Sequence, residues 1–211
     1  MSRPIATGTA PRQKAGQRIA RSGFLGMNMV ASRGQLRASF LRWALFLVPL
    51  CVLLGFLSGQ VGAGADSAWF QSLEKPAIYP EPKWFGIVWT ILYIMIGFAV
   101  ALVAAARGAR GRTVALWVFA LHFAINLAWT PVFFAMQQIT AALVVILLIV
   151  ATLLVVIALF WHVRKAAGLL MLPYLAWVCF ATVLNWQFLQ LNPDADGGEQ
   201  SGASDRMRIG N

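Results

Sequence analysis

The chain has 211 residues, 60% of them hydrophobic and 11% charged, with a mean hydropathy of +0.72 and a net charge of +10. A soluble domain of this size carries about 25% charged and about 45–50% apolar residues. The balance excludes a soluble globular enzyme and points to a multi-pass membrane protein. Two cysteines, Cys51 and Cys179, both in apolar runs, exclude a disulfide framework and a Cys-rich metal site.

The chain opens on a basic stretch. Residues 1–42 hold Arg3, Arg12, Lys14, Arg18, Arg21, Arg33, Arg37 and Arg42 and no acid. Rich in Gly, Ser and Ala and without a long apolar run, they are expected to be a disordered tail. No short apolar run with a small-residue cleavage site precedes the first span, so a secretory signal is not expected. Three readings stay open: a polybasic tail near anionic lipid, an Arg-rich leader, or a start at Met27 or Met29. Nucleic-acid binding is not expected, because no aromatic platform interleaves with these charges.

Five apolar segments follow, at about 43–63, 84–106, 113–134, 139–161 and 167–190. Backbone amides in hydrocarbon must be paired within their own segment, so these are helices and the fold is an all-α bundle of five transmembrane helices. The domain organisation read from this is a tail over 1–42, a membrane domain over 43–192 and a flexible solvated C-terminal tail over 193–211. Short connections between the later spans make neighbouring helices antiparallel.

Between the first two spans lies the one long connection, 64–83. Pro76, Pro80 and Pro82 make its second half stiff and non-helical. Lys and Arg concentrate on the side of the N-terminal tail, with Arg107, Arg110, Arg112, Arg164 and Lys165. Lys75, Lys83, Arg206 and Arg208 lie on the other. The positive-inside rule places the N-terminus in the cytoplasm and the C-terminus and the long loop outside. The rule governs insertion into a cytoplasmic-type membrane; the outer membrane lies beyond its scope.

Tryptophans near span ends (Trp43, Trp84, Trp117, Trp161 and Trp186) read as an interfacial belt. Trp89, Trp129 and Trp177 lie deeper, where an indole N–H wants a partner, and either bundle packing or a ligand site accounts for them. On the second span Phe85, Trp89 and Tyr93 recur every four residues as one aromatic stripe. On the third, His122, Asn126, Trp129, Thr130 and Phe133 share a face, and Ala120, Ala124 and Ala128 form a small-residue ridge opposite. That ridge is expected to meet another helix or a second protomer. On the fifth, Tyr174, Trp177, Ala181 and Asn185 share an arc. The polar-aromatic faces all fall in the outer half of the bundle, beneath the proline-rich loop. They predict a pocket for a flat apolar ligand with a polar edge. Lys75 and Lys83 at its mouth are candidates to pair with ligand carboxylates. Gly55 and Gly59 form a G-x-x-x-G packing signal, and Pro49, Pro131 and Pro173 are expected to kink their helices or mark frayed turns.

Three ordered motifs carry a resemblance over about residues 43–192. Lys75-Pro76 through Pro80, Trp84 and Trp89-Thr90-Ile91-Leu92-Tyr93 resemble the first loop and second helix of the TspO/MBR family, the tryptophan-rich sensory and translocator proteins. Asn126-Leu127-Ala128-Trp129-Thr130-Pro131-Val132-Phe133-Phe134 resembles its third-helix signature. Pro173-Tyr174, Trp177 and Ala181-Thr182-Val183-Leu184-Asn185 resemble its fifth helix. The resemblance implies a five-helix protein, usually a homodimer. It would bind protoporphyrin IX, haem and drug-like or sterol-like ligands under the first loop. Site residues are then expected at Tyr79, Trp84, Phe85, Trp89, Tyr93, His122, Asn126, Trp129, Phe133, Tyr174, Trp177, Ala181 and Asn185. Bacterial relatives are tied to regulation of tetrapyrrole and pigment synthesis. The sterol motif of animal members needs an aromatic residue followed by a base, and Trp186 and Gln190 here depart from it.

Two functions follow as expectations. The first is a membrane receptor, sensor or transporter of tetrapyrroles with no obligatory cofactor and no metal. The second is a light-dependent porphyrin-degrading enzyme in the same pocket, with Trp89 or Trp177 as electron donors. The spans hold no carboxylate pair and no nucleophile–base constellation. Ion-coupled transport needs ionisable residues within the membrane. His122 is the candidate there, and also the candidate haem ligand, against the plainer reading of a hydrogen-bonded core residue.

Overall fold

A computed structural model describes residues 33–197. The packing below belongs to the unit that begins at Arg37. Five long helices run in order: α1 (Arg33–Gly59), α2 (Pro82–Ala105), α3 (Arg112–Thr130), α4 (Ile139–Val163) and α5 (Leu172–Leu191). No strand occurs among the described residues. Each of the five spans is long and apolar enough to cross a bilayer. Large side chains such as Leu45, Phe56, Trp117, Leu121 and Leu148 stand exposed along them. Such a surface is stable only against lipid, so the chain is a multi-pass membrane protein.

The solid core fills the half of the bundle toward the 106–111 turn. Ile96, Ala99 and Val103 of α2 meet Ala115 and Phe119 of α3 and Leu153, Val156 and Phe160 of α4 there, nearly all at or below 2% exposure. Arg112 closes this end by donating from Nε and Nη2 to the carbonyl of Ala104, at 3.0 and 2.8 Å, which satisfies a free carbonyl at the end of α2. Small residues bring α1 against α2. A Cβ on Gly97 would lie 2.6 Å from Cα of Val48. Gly55 faces the ring of Tyr93, while Gly59 of the same motif has open space beside it.

The helix α1 begins at Arg33, well before the expected boundary at residue 43. Residues 35–42 contain strong helix formers and neither Gly nor Pro, and Arg42 Nε folds back onto the carbonyl of Ala38. The remainder of the expected tail, 1–32, lies outside the described residues. The fifth span is two helices, Lys165–Leu170 and α5, instead of one. Pro173 has no N–H for the carbonyl of Leu169, so the chain breaks at Met171 and restarts with proline in the first turn. Pro131 marks a comparable change, from α3 to a π-helical turn over Pro131–Ala135.

The long loop is more ordered than its prolines alone suggest. Its first half carries a 3₁₀ turn, Val61–Asp66, and a short helix, Ala68–Ser72, whose N-cap Ser67 Oγ accepts the N–H of Phe70 at 3.2 Å. Residues 73–81 are non-helical, and Pro82 opens α2 in the first position, where no N–H is needed.

The expected free C-terminal tail starts later than residue 193. Residues 193–197 dock on the bundle: Asp196 Oδ1 accepts the N–H groups of Ile139 and Thr140, and Gly197 N–H donates to the Gln137 carbonyl at 3.0 Å. The N-terminus of α4 lacks a side-chain cap of its own from Gln138, so a carboxylate from a distant part of the sequence supplies it. Residues 198–211 lie outside the described residues.

Candidate functional site

The loop folds onto the end of the bundle as a lid. Phe70 is its plug: 3% exposed, it packs against Phe134 at 5.3 Å, Phe188 at 5.6 Å and Tyr79 at 6.0 Å. Two polar clasps hold the lid down. Asn192 accepts the N–H of Glu74 on Oδ1 at 2.8 Å and donates from Nδ2 to the Glu74 carbonyl at 3.0 Å. Trp69 Nε1 donates to the carbonyl of Ala195 at 3.1 Å.

Beneath the lid lies a cavity of about 740 Å³. Of the residues expected to line it, Tyr79, Phe85, Trp89, Tyr93, Asn126, Trp129, Phe133, Trp177, Ala181 and Asn185 do so. Their rings interlock: Trp89 stacks on Tyr93 at 5.3 Å, Trp129 on Phe133 at 5.0 Å, and Phe85 meets Trp177 edge-on at 5.8 Å. Such contacts hold rings in fixed orientations around a space none of them fills.

Three expected lining residues stand elsewhere. Trp84 is half exposed and turns away from the cavity. His122 and Tyr174 are fully buried behind the wall, where α3 and α5 both pack on α4 and the two side chains face one another and Thr152. Tyr174 donates to Asn126 Oδ1 at 2.7 Å and lies 3.2 Å from His122 Nε2. His122 is thus a hydrogen-bonded core residue that does not line the cavity.

The polar groups of the wall are held by one another. Trp129 Nε1 donates to Asn185 Oδ1 at 3.2 Å, and Asn185 Nδ2 donates to the Ile139 carbonyl at 3.1 Å. This pins α3, α5 and the start of α4. Trp177 differs: its Nε1–H is buried with no acceptor in reach. An unpaired buried donor costs about 1–3 kcal/mol.

Neither lysine serves as a free cation at the mouth. Lys75 Nζ donates to the carbonyls of Phe70, Gln71 and Leu73 at 2.5, 3.1 and 2.8 Å, so its three hydrogens cap the short lid helix. It also lies 4.8 Å from the ring centre of Phe70, and burial lowers its pKa. Lys83 is paired with Glu81 and lies over the Trp84 ring. A lysine followed by proline at a helix end is read from sequence as a surface anchor or a ligand partner; the cap became visible only with the lid helix. Burial beneath the lid raises the pKa of Tyr79, which keeps its hydroxyl protonated over the physiological range.

Several lining groups lie outside the set expected from spacing. Phe188 shares an arc with Ala181 and Asn185 at helical spacing, so the same rule that found those reaches it. Phe70 sits in one isolated turn and gives no periodic signal. The α1 wall, including Val52, Gly55 and Phe56, comes from a helix whose apolar residues run all round it. The Ala120, Ala124 and Ala128 ridge is exposed among the described residues.

Comparison with known proteins agrees with this architecture. The TspO/MBR family pattern matches residues 47–191. The tryptophan-rich protein TspO of Chlorobaculum tepidum is 39% identical over 147 residues, covering 69% of this chain and 93% of that protein. Protein CrtK of Rhodobacter capsulatus is 34% identical over 139 residues, covering 64% and 86%. The translocator protein of Bos taurus is 36% identical over 142 residues, covering 65% and 83%. Five spans, an aromatic chamber and a clasped lid, together with a match across the whole membrane domain, establish that the chain belongs to the TspO/MBR family.

Proposed function

We propose that this membrane protein is a receptor and sensor for flat, apolar ligands of the tetrapyrrole class, protoporphyrin IX or haem, and that it acts in the regulation of tetrapyrrole metabolism. The observation that carries the reading is the chamber of about 740 Å³ walled by aromatic rings. Stacking on Trp89 and Trp129 supplies affinity for a planar face. Because Lys75 and Lys83 are already engaged, porphyrin carboxylates remain at the mouth in water and are not paired by these two groups. Drug-like and sterol-like molecules share the apolar requirement; Trp186 and Gln190 leave the sterol motif incomplete.

Titration of the purified protein with protoporphyrin IX tests this. Saturable quenching of tryptophan fluorescence is expected, with both affinity and quenching reduced in the double variant Trp89→Phe, Trp129→Phe. An unchanged curve in that variant places the ligand elsewhere. Trp177→Phe removes an unpaired donor, so thermal stability holds or rises.

Two further readings belong to the same proposal. The exposed Ala120, Ala124 and Ala128 ridge is the surface offered for homodimer formation, and Ala124→Trp would shift sedimentation to the monomer. The N-terminus lies in the cytoplasm and the lid outside, as the basic residues of the 106–112 turn and of Arg164 and Lys165 indicate. Labelling of a cysteine placed at Ser72 by an impermeant reagent added outside intact cells checks it.

The stacked pair Trp89 and Tyr93 favours one alternative, photo-oxidation of a bound porphyrin with Trp89 as electron donor. Illumination under oxygen would then consume the porphyrin faster than in free solution, and Trp89→Phe would abolish the difference.

A further inference from the structure

Behind the cavity wall runs a chain of polar groups drawn from four helices. Asn126 Nδ2 lies 3.3 Å from Tyr93 Oη, and Asn126 Oδ1 lies 2.7 Å from Tyr174 Oη. Tyr174 Oη is 3.2 Å from His122 Nε2, and His122 Nδ1 is 2.8 Å from Thr152 Oγ1. Thr152 Oγ1 in turn lies 2.8 Å from the carbonyl oxygen of Leu148. Tyr93 and Asn126 line the cavity; His122, Tyr174 and Thr152 do not.

The hydrogens can be counted. A hydroxyl has one, a neutral imidazole has one N–H, and a primary amide has an oxygen at one end and a nitrogen at the other. Amide orientation and imidazole tautomer follow from the network around them. Two polarities run through the chain; the first gives up the bond from Thr152 to the Leu148 carbonyl and the second keeps it. In one, His122 carries its proton on Nε2 and donates to Tyr174, Tyr174 donates to Asn126 Oδ1, and Asn126 Nδ2 donates to Tyr93. The Tyr93 hydrogen is then free for the cavity, and Thr152 donates to His122 Nδ1. In the other, Tyr93 donates to Asn126 Oδ1, Asn126 Nδ2 donates to Tyr174, and Tyr174 donates to His122 Nε2. His122 then donates from Nδ1 to Thr152, and Thr152 to the Leu148 carbonyl. In that state Tyr93 offers the cavity only a lone pair.

We propose that His122 is a positioning residue: through Tyr174 and Asn126 its tautomer sets whether Tyr93 presents a hydrogen or a lone pair to the bound ligand. The polar edge of the ligand and the imidazole tautomer are therefore coupled. Switching moves the imidazole proton between Nδ1 and Nε2, turns the hydroxyls and reverses the Asn126 amide, with no atom gained or lost. A ligand of the wrong polarity leaves one buried hydrogen bond unmade. This inference rests on the cavity being the ligand site.

Acridine, with one ring nitrogen acceptor, and carbazole, with one N–H donor, are flat three-ring probes of opposite polarity. The full chain carrying His162→Gln, with ¹⁵N-labelled imidazole and reconstituted in bilayers, gives a solid-state NMR signal from His122 alone. Saturation with acridine is expected to yield the Nε2–H tautomer and with carbazole the Nδ1–H tautomer; Tyr93→Phe abolishes the response. Thr152→Val costs the Nε2–H form one hydrogen bond, to Nδ1, and the Nδ1–H form two, from Nδ1–H and to the Leu148 carbonyl, and so favours the Nε2–H form. It is expected to raise the acridine-to-carbazole affinity ratio about fivefold from outside the cavity. The same tautomer with both probes bound, or an unchanged ratio in Thr152→Val, overturns the inference while leaving the ligand site intact. Failure of both probes to quench cavity tryptophans overturns the ligand site and the inference together.

Discussion

Ser58 Oγ donates to the carbonyl of Leu127 at 2.7 Å, and that carbonyl is the one Pro131 cannot serve. An α-helix pairs each carbonyl with the N–H four residues on, and Pro131 has none. A hydroxyl from α1 thus replaces the missing bond in α3, at the point where α3 passes into its π-helical turn. The turn places Phe133 on the cavity wall and Phe134 against the lid plug Phe70.

Ser58→Ala is expected to lower stability by about 1–2 kcal/mol, since it leaves a buried carbonyl unpaired. Pro131→Ala restores the N–H, so Ser58→Ala should cost much less in that background. Thermal unfolding of the four proteins in detergent measures the coupling; strictly additive effects would show that the hydroxyl serves some other purpose.

Gly55 lies against the Tyr93 ring, and a Cβ there would stand 2.1 Å from Cε2. Gly55→Ala therefore displaces the ring or pushes α1 away from α2, at a cost of about 1–3 kcal/mol. Affinity for a flat probe such as acridine falls with it. The contact is read directly as a loss of both thermal stability and fluorescence quenching, with Gly59→Ala, whose Cβ meets nothing within 4 Å, as the control for stability.

The two lysines separate a structural cation from a ligand partner. Lys75→Met removes three hydrogen bonds that close the short lid helix and should weaken protoporphyrin and uncharged acridine alike, by about tenfold. Lys83→Met removes an exposed pair and should change neither by more than about twofold. Parallel titrations decide it: a loss confined to protoporphyrin in either variant would mean carboxylate pairing.

Asp196→Ala uncaps α4 and is expected to lower stability by about 1 kcal/mol. Truncation after Asn192 goes further, because it also removes the Ala195 carbonyl that holds Trp69 of the lid. Hydrogen exchange should show earlier opening of residues 139–142 in the first variant and of residues 68–72 as well in the second.

The membrane class, the five spans and most of the chamber follow from sequence for a simple reason. Hydrocarbon demands long apolar helices, and a helix that turns polar rings inward must repeat them every three or four residues. Phe85, Trp89 and Tyr93 obey that rule, as do Asn126, Trp129 and Phe133, so their convergence is legible from spacing alone. What spacing cannot hold is the rotation of each helix about its axis and the partner a polar atom finds across the bundle. His122 and Tyr174 share the periodic faces yet lie behind the wall, because α3 and α5 both turn those positions toward α4. Lys75 caps a lid helix of five residues, too short to leave a pattern, and Asp196 caps α4 from 57 positions away in the chain. Those assignments depend on distances between segments remote in sequence, which only the folded chain brings within the reach of a hydrogen bond.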